Sequence, residues 1–157
     1  MSRKVLLTVF VVVLAVALLA AGYLTMQTQA AEREAAEAAS VTESFYRWYV
    51  NYPGNPIVEQ AYRKSPLVSE RFVSEMDAAI EAMRAAGPGG ADLILCAQDI
   101  PGEMRYGAAT VEGDRATAVV EQVWNPGTEF EQARELQVQL QKVEGQWLID
   151  EIICPLP

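Results

Sequence analysis

Two cysteines, Cys96 and Cys154, are the only thiols among the 157 residues. A lone pair of this kind forms a structural disulfide in an oxidising compartment and otherwise stays as two buried free thiols. The spacing is far from CxxC, which argues against a redox-active dithiol. A bridge would close a loop of roughly 60 residues, worth roughly 4 kcal/mol in the chain-entropy model. The carboxylates with most chemical interest are Asp99, Asp150 and Glu151. Asp99 follows Cys96 closely. Asp150 interrupts the apolar run Trp147, Leu148, Ile149 and Ile152, where desolvation would raise its pKa. A pocket Asp of that type, within reach of a Tyr, is the equipment of proton-transfer catalysis. The competing expectation is that Asp150 and Glu151 are solvated or paired with Arg47 or Arg63.

Aromatic residues make up a third group: Tyr46, Trp48, Tyr49, Tyr62, Tyr106, Trp124 and Trp147. Core packing explains such a set, and so does a pocket lined by Tyr46, Tyr49, Tyr62, Tyr106, Trp124 and Trp147 that takes a small apolar or planar ligand. Tyr46 lies off the apolar stripe of its helix, so it is expected at the surface or in a second cavity. The chain has no histidine, which removes the commonest general base and excludes imidazole zinc sites and Ser-His-Asp or Cys-His arrangements. No calcium-loop spacing is present, and neither a metal nor a cofactor is expected.

These residues need a scaffold, and the sequence divides into an address and a domain. Val5 to Met26 is an uncharged apolar run of 22 residues, about 33 Å long as a helix. That length matches the hydrocarbon core of a bilayer. Arg3 and Lys4 precede it, and Glu32, Glu34 and Glu37 follow it. The positive-inside rule then predicts a cytoplasmic N-terminus at 1–4, a transmembrane helix at 5–26, a helical spacer at 27–40 and an extracytoplasmic domain at 41–157. A cleavable signal peptide is the alternative, with small residues at Ala20, Ala21 and Gly22; no lipobox cysteine follows. Either way the expected address is the cell membrane or beyond it, with the bilayer as partner through residues 5–26.

Beyond the run, Ser40 and Glu43 have the spacing of a capping box and predict a helix carrying Val41, Phe45, Trp48, Tyr49 and Tyr52. Asn55-Pro56 predicts a second, short helix to about Lys64. Ser69 predicts a third, to about Ala86, buried through Phe72, Val73, Met76, Ala79, Ile80 and Met83. The periodicity then becomes that of strands: Leu93–Cys96, Glu103–Glu112, Arg115–Trp124, Glu135–Val143 and Gln146–Cys154. Leu136, Val138 and Leu140 alternate with Gln137, Gln139 and Gln141, as in a half-buried antiparallel strand. The expected fold class is α+β: an N-terminal transmembrane helix, then three helices on a curved antiparallel sheet enclosing a cone-shaped cavity.

Three segments carry a family resemblance: Phe45-Tyr46-Arg47-Trp48-Tyr49, Leu95-Cys96-Ala97-Gln98-Asp99-Ile100-Pro101 and Val143-Glu144-Gly145-Gln146-Trp147-Leu148-Ile149-Asp150-Glu151-Ile152. Together they resemble domain-of-unknown-function family 3828, within the nuclear-transport-factor-2-like (cystatin-like) superfamily, over residues 42 to 154. The resemblance implies a sheet wrapped round a long helix with a pocket at the cone mouth. It implies no established activity and transfers no catalytic residue.

The charge balance narrows the partners. Twelve basic and 21 acidic residues give a net charge of -9. Without Arg3 and Lys4, ten basic residues face 21 acidic ones, a balance of -11. Such a surface repels nucleic acid and anionic lipid headgroups; solubility accounts for it, and a cationic partner is the sharper alternative. Two functions follow as expectations. One is a non-enzymatic binding or scaffold module of the cell envelope, contacting another envelope protein or a small apolar ligand. The other is a small carboxylate-dependent lyase or isomerase using Asp99 or Asp150.

Overall fold

The computed structural model describes residues 3–87 and 90–155; the side chains of residues 3–21 and of Leu24 lie outside that description. Two compact units are present, Met1–Glu34 and Ala35–Pro157. The first belongs to α1, a helix that runs over Arg3–Val50.

Three helical expectations are corrected. No new helix starts at Ser40, because α1 passes through it unbroken. A capping box needs N–H groups that lack partners. The Ala- and Glu-rich stretch before Ser40 propagates the helix instead, so the N–H groups there already have carbonyls four residues back. The expected helix from Pro56 to Lys64 is a series of turns ending in a 3-10 turn at Ala61–Lys64. Asn55 does cap the first turn, its Oδ1 accepting from the Val58 N–H at 3.0 Å. Gln60 then takes a left-handed φ of 53°, which no α-helix continues through. Among the described residues there are therefore two α-helices and not three: α1 and α2, the latter over Glu70–Ala86. Ser69 caps α2, its Oγ accepting from the Phe72 N–H at 3.0 Å.

The membrane expectation is corrected as well. Among the described residues, no helix is long and apolar enough to cross a membrane. From Gly22 onward α1 carries Glu32, Arg33, Glu34, Glu37, Glu43 and Arg47, all beyond the expected span at 5–26. The side chains of residues 5–21, on which most of the expected span rests, lie outside the described residues. The single-pass placement, with the N-terminus in the cytoplasm and the domain outside, conflicts with the absence of such a helix among the described residues.

Four strands make one antiparallel sheet in the order β1-β2-β3-β4: β1 Glu103–Glu112, β2 Arg115–Trp124, β3 Gln132–Val143 and β4 Gln146–Ile153. The tight turns follow local chemistry, with Gly113 at φ 63° and Glu144-Gly145 at 51° and 83°. Leu93–Cys96 is not a strand; it belongs to a turn closed by an Asp92–Ala97 bridge.

One sheet face is covered. Ala116, Ala118 and Val120 of β2, Leu136, Val138 and Leu140 of β3 and Ile149 of β4 join a core with Phe45, Phe72, Met76 and Ile80 from the helices. Phe72, Met76 and Ile80 recur every fourth residue, the stripe by which α2 is buried. The opposite face carries Gln137, Gln139 and Gln141. Among the described residues, Phe45, Tyr46, Tyr49 and Tyr62 fill the interior against the covered face with at most 2% exposure, where the expected cone-shaped cavity would lie.

Two irregularities shape the sheet. Gly107 and Ala108 together face Val119, a bulge in β1. In β4, Gln139 pairs with Glu151 and Leu140 with Ile149, which leaves Asp150 as the extra residue of a second bulge. The outer edge of β4 is closed by Leu67 and Ser69, which exchange backbone hydrogen bonds of 2.8 Å with Ile149.

Candidate functional site

The bulge and the edge pairing decide the fate of Asp150. They bring Ser69 and Arg71, at the start of α2, against it. The Ser69 hydroxyl donates to Asp150 Oδ1 at 2.6 Å, and Arg71 Nε donates to Oδ2 at 2.9 Å. A second Arg71 nitrogen reaches Oδ2 at 2.7 Å and Glu151 at 3.3 Å. Arg71 also pairs with Glu75 at 2.8 Å. Burial pushes the Asp150 carboxyl up, but the hydrogen bonds from Arg71 and Ser69 outweigh it and hold the group below the ordinary carboxylate range. The expected rise is therefore reversed, and the partner is Arg71 rather than Arg47 or Arg63. A carboxylate held this way ties α2 to β4.

Asp99 is exposed and lies along a groove with Gln98, Trp124 and Arg134, with no tyrosine among the described residues lining it. Among the described residues, no tyrosine lines the groove at Asp99 or the one at Asp150.

The aromatic set does not converge on one pocket. Tyr46 is wholly buried, and its hydroxyl donates to the Ile94 carbonyl at 3.1 Å. Tyr62 donates to Asp77 at 2.7 Å, where Arg63 also binds. Tyr106 lies under Arg47 at 5.7 Å, Trp124 under Arg134 at 5.4 Å and Trp147 under Lys142 at 5.4 Å. Trp48 stacks edge-on against Tyr52 at 5.9 Å. Of the six expected pocket residues, Tyr49 is the one that enters the cleft described below.

The segment from Asp92 to Ala97 is tied to the rest of the domain at several points. Its ends exchange hydrogen bonds of 2.7 and 3.3 Å between Asp92 and Ala97. Three consecutive carbonyls accept from interior side chains. Tyr46 of α1 takes Ile94, Gln122 of β2 takes Leu95 at 2.7 Å, and Arg134 of β3 takes Cys96. Gln122 is fully buried, so its amide is committed to this role. The disulfide between Cys96 and Cys154, with Cα atoms 5.5 Å apart, fastens the same loop to the end of β4. The cysteine pair is therefore joined, with Cys96 in a left-handed conformation at φ 52°.

This loop forms one wall of a cleft of about 460 Å³. The other walls come from the end of α1 (Tyr49 and Val50), from Tyr52 and the turns at Ile57 and Val58 that follow it, and from Met83 of α2 with Gly90 and Ala91. Asp92 lines it with a defined set of bonds. Its Oδ1 accepts from the Ile94 and Leu95 N–H groups at 2.8 and 2.9 Å, an Asx turn. Its Oδ2 accepts from the Tyr49 hydroxyl at 2.7 Å. Burial, reinforced by Asp92, raises the Tyr49 pKa far above its ordinary value, so the phenol stays protonated and acts as a donor. Near the mouth Tyr52 donates to Glu59 at 2.9 Å. Val58 and Ile100, on the rim, are 67% and 64% exposed.

The sequence reading missed Asp92, Val58 and Ile100. An aspartate two and three residues before the N–H groups it caps is a turn signal, and it was readable in Asp92-Leu93-Ile94-Leu95. The apolar run Leu93–Cys96 masked it as a strand.

No family model matches the chain, and no curated protein matches it. Among solved structures, it is similar to a protein of unknown function from Bacteroides thetaiotaomicron VPI-5482, with 19% identity and a TM-score of 0.54 over 85% of this chain and 98% of that one. It is also similar to a chain of the native type VI effector–immunity complex Tae3–Tai3 from Ralstonia pickettii, with 23% identity and a TM-score of 0.55 over 76% of this chain and 94% of that one. At these identities the likeness is one of fold.

Proposed function

We propose that the folded domain is a non-enzymatic binding module that contacts another protein through the cleft between the end of α1 and the Asp92–Ala97 loop. The observation that carries this reading is the rim. Val58 and Ile100 expose about two thirds of their surface beside the cleft, on a chain with a net charge of -9. Apolar side chains grouped on a polar surface mark contact sites. The cleft lies open to solvent, which suits a protuberance of a partner better than an enclosed small ligand.

Other features support the same reading. Asp150, the carboxylate with most promise for proton transfer, is engaged by Arg71 and Ser69. A fold neighbour comes from a complex of two proteins, so the scaffold is compatible with a protein partner.

Affinity capture with the wild-type chain and with a Val58→Asp, Ile100→Asp double variant tests the proposal. A protein retained by the first and lost with the second is expected. Retention of the same proteins by both, or of none by either, would remove the cleft as a contact site.

A further inference from the structure

We infer that the cleft receives a lysine or arginine side chain of the partner protein, flanked there by apolar residues, with Asp92 as its counter-charge. This rests on the protein-binding reading above and names the chemistry of that same site.

The charge inventory comes first. Asp92 is the one ionisable carboxylate lining the cleft, and among the described residues that line it none is lysine or arginine. Every hydrogen bond the protein gives Asp92 comes from a neutral donor: the Ile94 and Leu95 N–H groups and the Tyr49 hydroxyl. An ionised carboxylate offers about four acceptor positions, and three are filled here. Oδ2, with one donor, keeps a position for a ligand. The negative charge itself is uncompensated at the site.

The walls fit the rest of such a side chain. Leu95, Ile57 and Val58 give the apolar lining that the methylene stem of lysine or arginine covers while its head seeks a polar partner. Tyr52 lines the same path, and an aromatic ring there favours a cation over a neutral group. The rim residues Val58 and Ile100 extend the apolar surface outward, where residues adjacent to the anchor are buried in turn. A free amine would leave that rim uncovered, which is why the source is a protein side chain. The acidic excess of the whole chain adds attraction at long range.

The test uses the full chain and three probes followed by NMR, with the Val58 and Ile100 methyl resonances as reporters. The probes are a capped Leu-Lys-Leu peptide, its norleucine counterpart and hexylammonium. On the wild type, the lysine peptide is expected to bind about tenfold more tightly than the norleucine peptide, the worth of a charge-assisted hydrogen bond. Hexylammonium is expected to bind more weakly than the lysine peptide. In Asp92→Asn, which keeps an acceptor for the Ile94 and Leu95 N–H groups, the lysine preference is expected to vanish.

Equal affinity of the lysine and norleucine peptides on the wild type would sink the inference whether or not the variant folds. Hexylammonium binding as tightly as the lysine peptide would do the same, by making the cleft a receptor for small amines. The two levels fail separately. Loss of the lysine preference with capture intact removes the cationic anchor alone, whereas failed capture removes the protein-binding reading beneath it.

Discussion

Asp92 and Asp150 make an instructive pair. Each is set at an irregular point of the backbone, a turn for one and a bulge for the other, and each accepts a short hydrogen bond from a hydroxyl, 2.7 Å from Tyr49 and 2.6 Å from Ser69. The difference lies in the cation. Asp150 has Arg71 at 2.7 Å and is complete within the chain. Asp92 has backbone amides and a phenol, and no cation lines its cleft among the described residues. A buried or half-buried carboxylate with its own arginine fastens two elements; one stabilised by neutral dipoles keeps its charge available to something outside. Residue type alone does not separate these roles, and neither does proximity to apolar sequence. The partner inventory does.

The comparison can be broken most forcefully through the disulfide, which fastens the Asp92 loop to the end of β4. Replacing Cys96 and Cys154 by serine is expected to cost about 4 kcal/mol in urea unfolding, because the bridge closes a span of 58 residues. Hydrogen exchange should then quicken at Ile94 and Leu95 and stay slow at Ile149. Equal loosening of both regions would show that the loop and the seam share one cooperative unit.

Next in size is the seam itself. Asp150→Ala removes three charge-assisted contacts and strands the Ser69 hydroxyl, at an expected cost of about 2–3 kcal/mol by denaturant titration. The pH dependence has a definite sign. The folded pKa of Asp150 is depressed, so its contribution is present in full above the unfolded value of about 3.9 and is lost as pH falls through the folded value. The gap in stability between wild type and Asp150→Asn should therefore narrow below about pH 4 and stay constant from pH 5 to 7. A gap that widens on acidification would contradict the Arg71 pairing.

On the other side, Tyr49→Phe deletes one neutral donor to Asp92 and is expected to cost about 1 kcal/mol, read as a lowered melting temperature. The smallest effect belongs to the rim. Val58→Asp and Ile100→Asp should each change stability by no more than about 0.5 kcal/mol, since both side chains are mostly exposed, while abolishing partner capture. Rim substitutions that unfold the domain would instead assign Val58 and Ile100 to the core.

The strands show what local pattern conveys. Glu103–Glu112 and Arg115–Trp124 were legible to the residue, since alternation and a Gly113-Asp114 turn act within a few positions. β3 begins three residues earlier than its alternation suggests, at Gln132, because pairing with Trp124 extends it past the point where the pattern is visible. The α2 cap at Ser69 was equally local. The helical segment before it was not. Ser40-Glu43 and Pro56 carry real start signals, but a start signal has no effect inside a helix that already propagates, and Gln60 stops the second helix by adopting a conformation its residue type does not announce.

By itself, then, the sequence determined the hairpins, the α2 cap, the acidic balance and the availability of a single cysteine pair, all set by nearest neighbours or by composition. Tertiary structure alone decided the roles of the carboxylates. Arg71 reaches Asp150 across 79 positions and Tyr49 reaches Asp92 across 43. The carbonyls of Ile94, Leu95 and Cys96 draw donors from α1, β2 and β3. Periodicity reports which way a side chain faces relative to its own element. Which group it meets, and so whether its charge is used up or left available, depends on how separate elements pack.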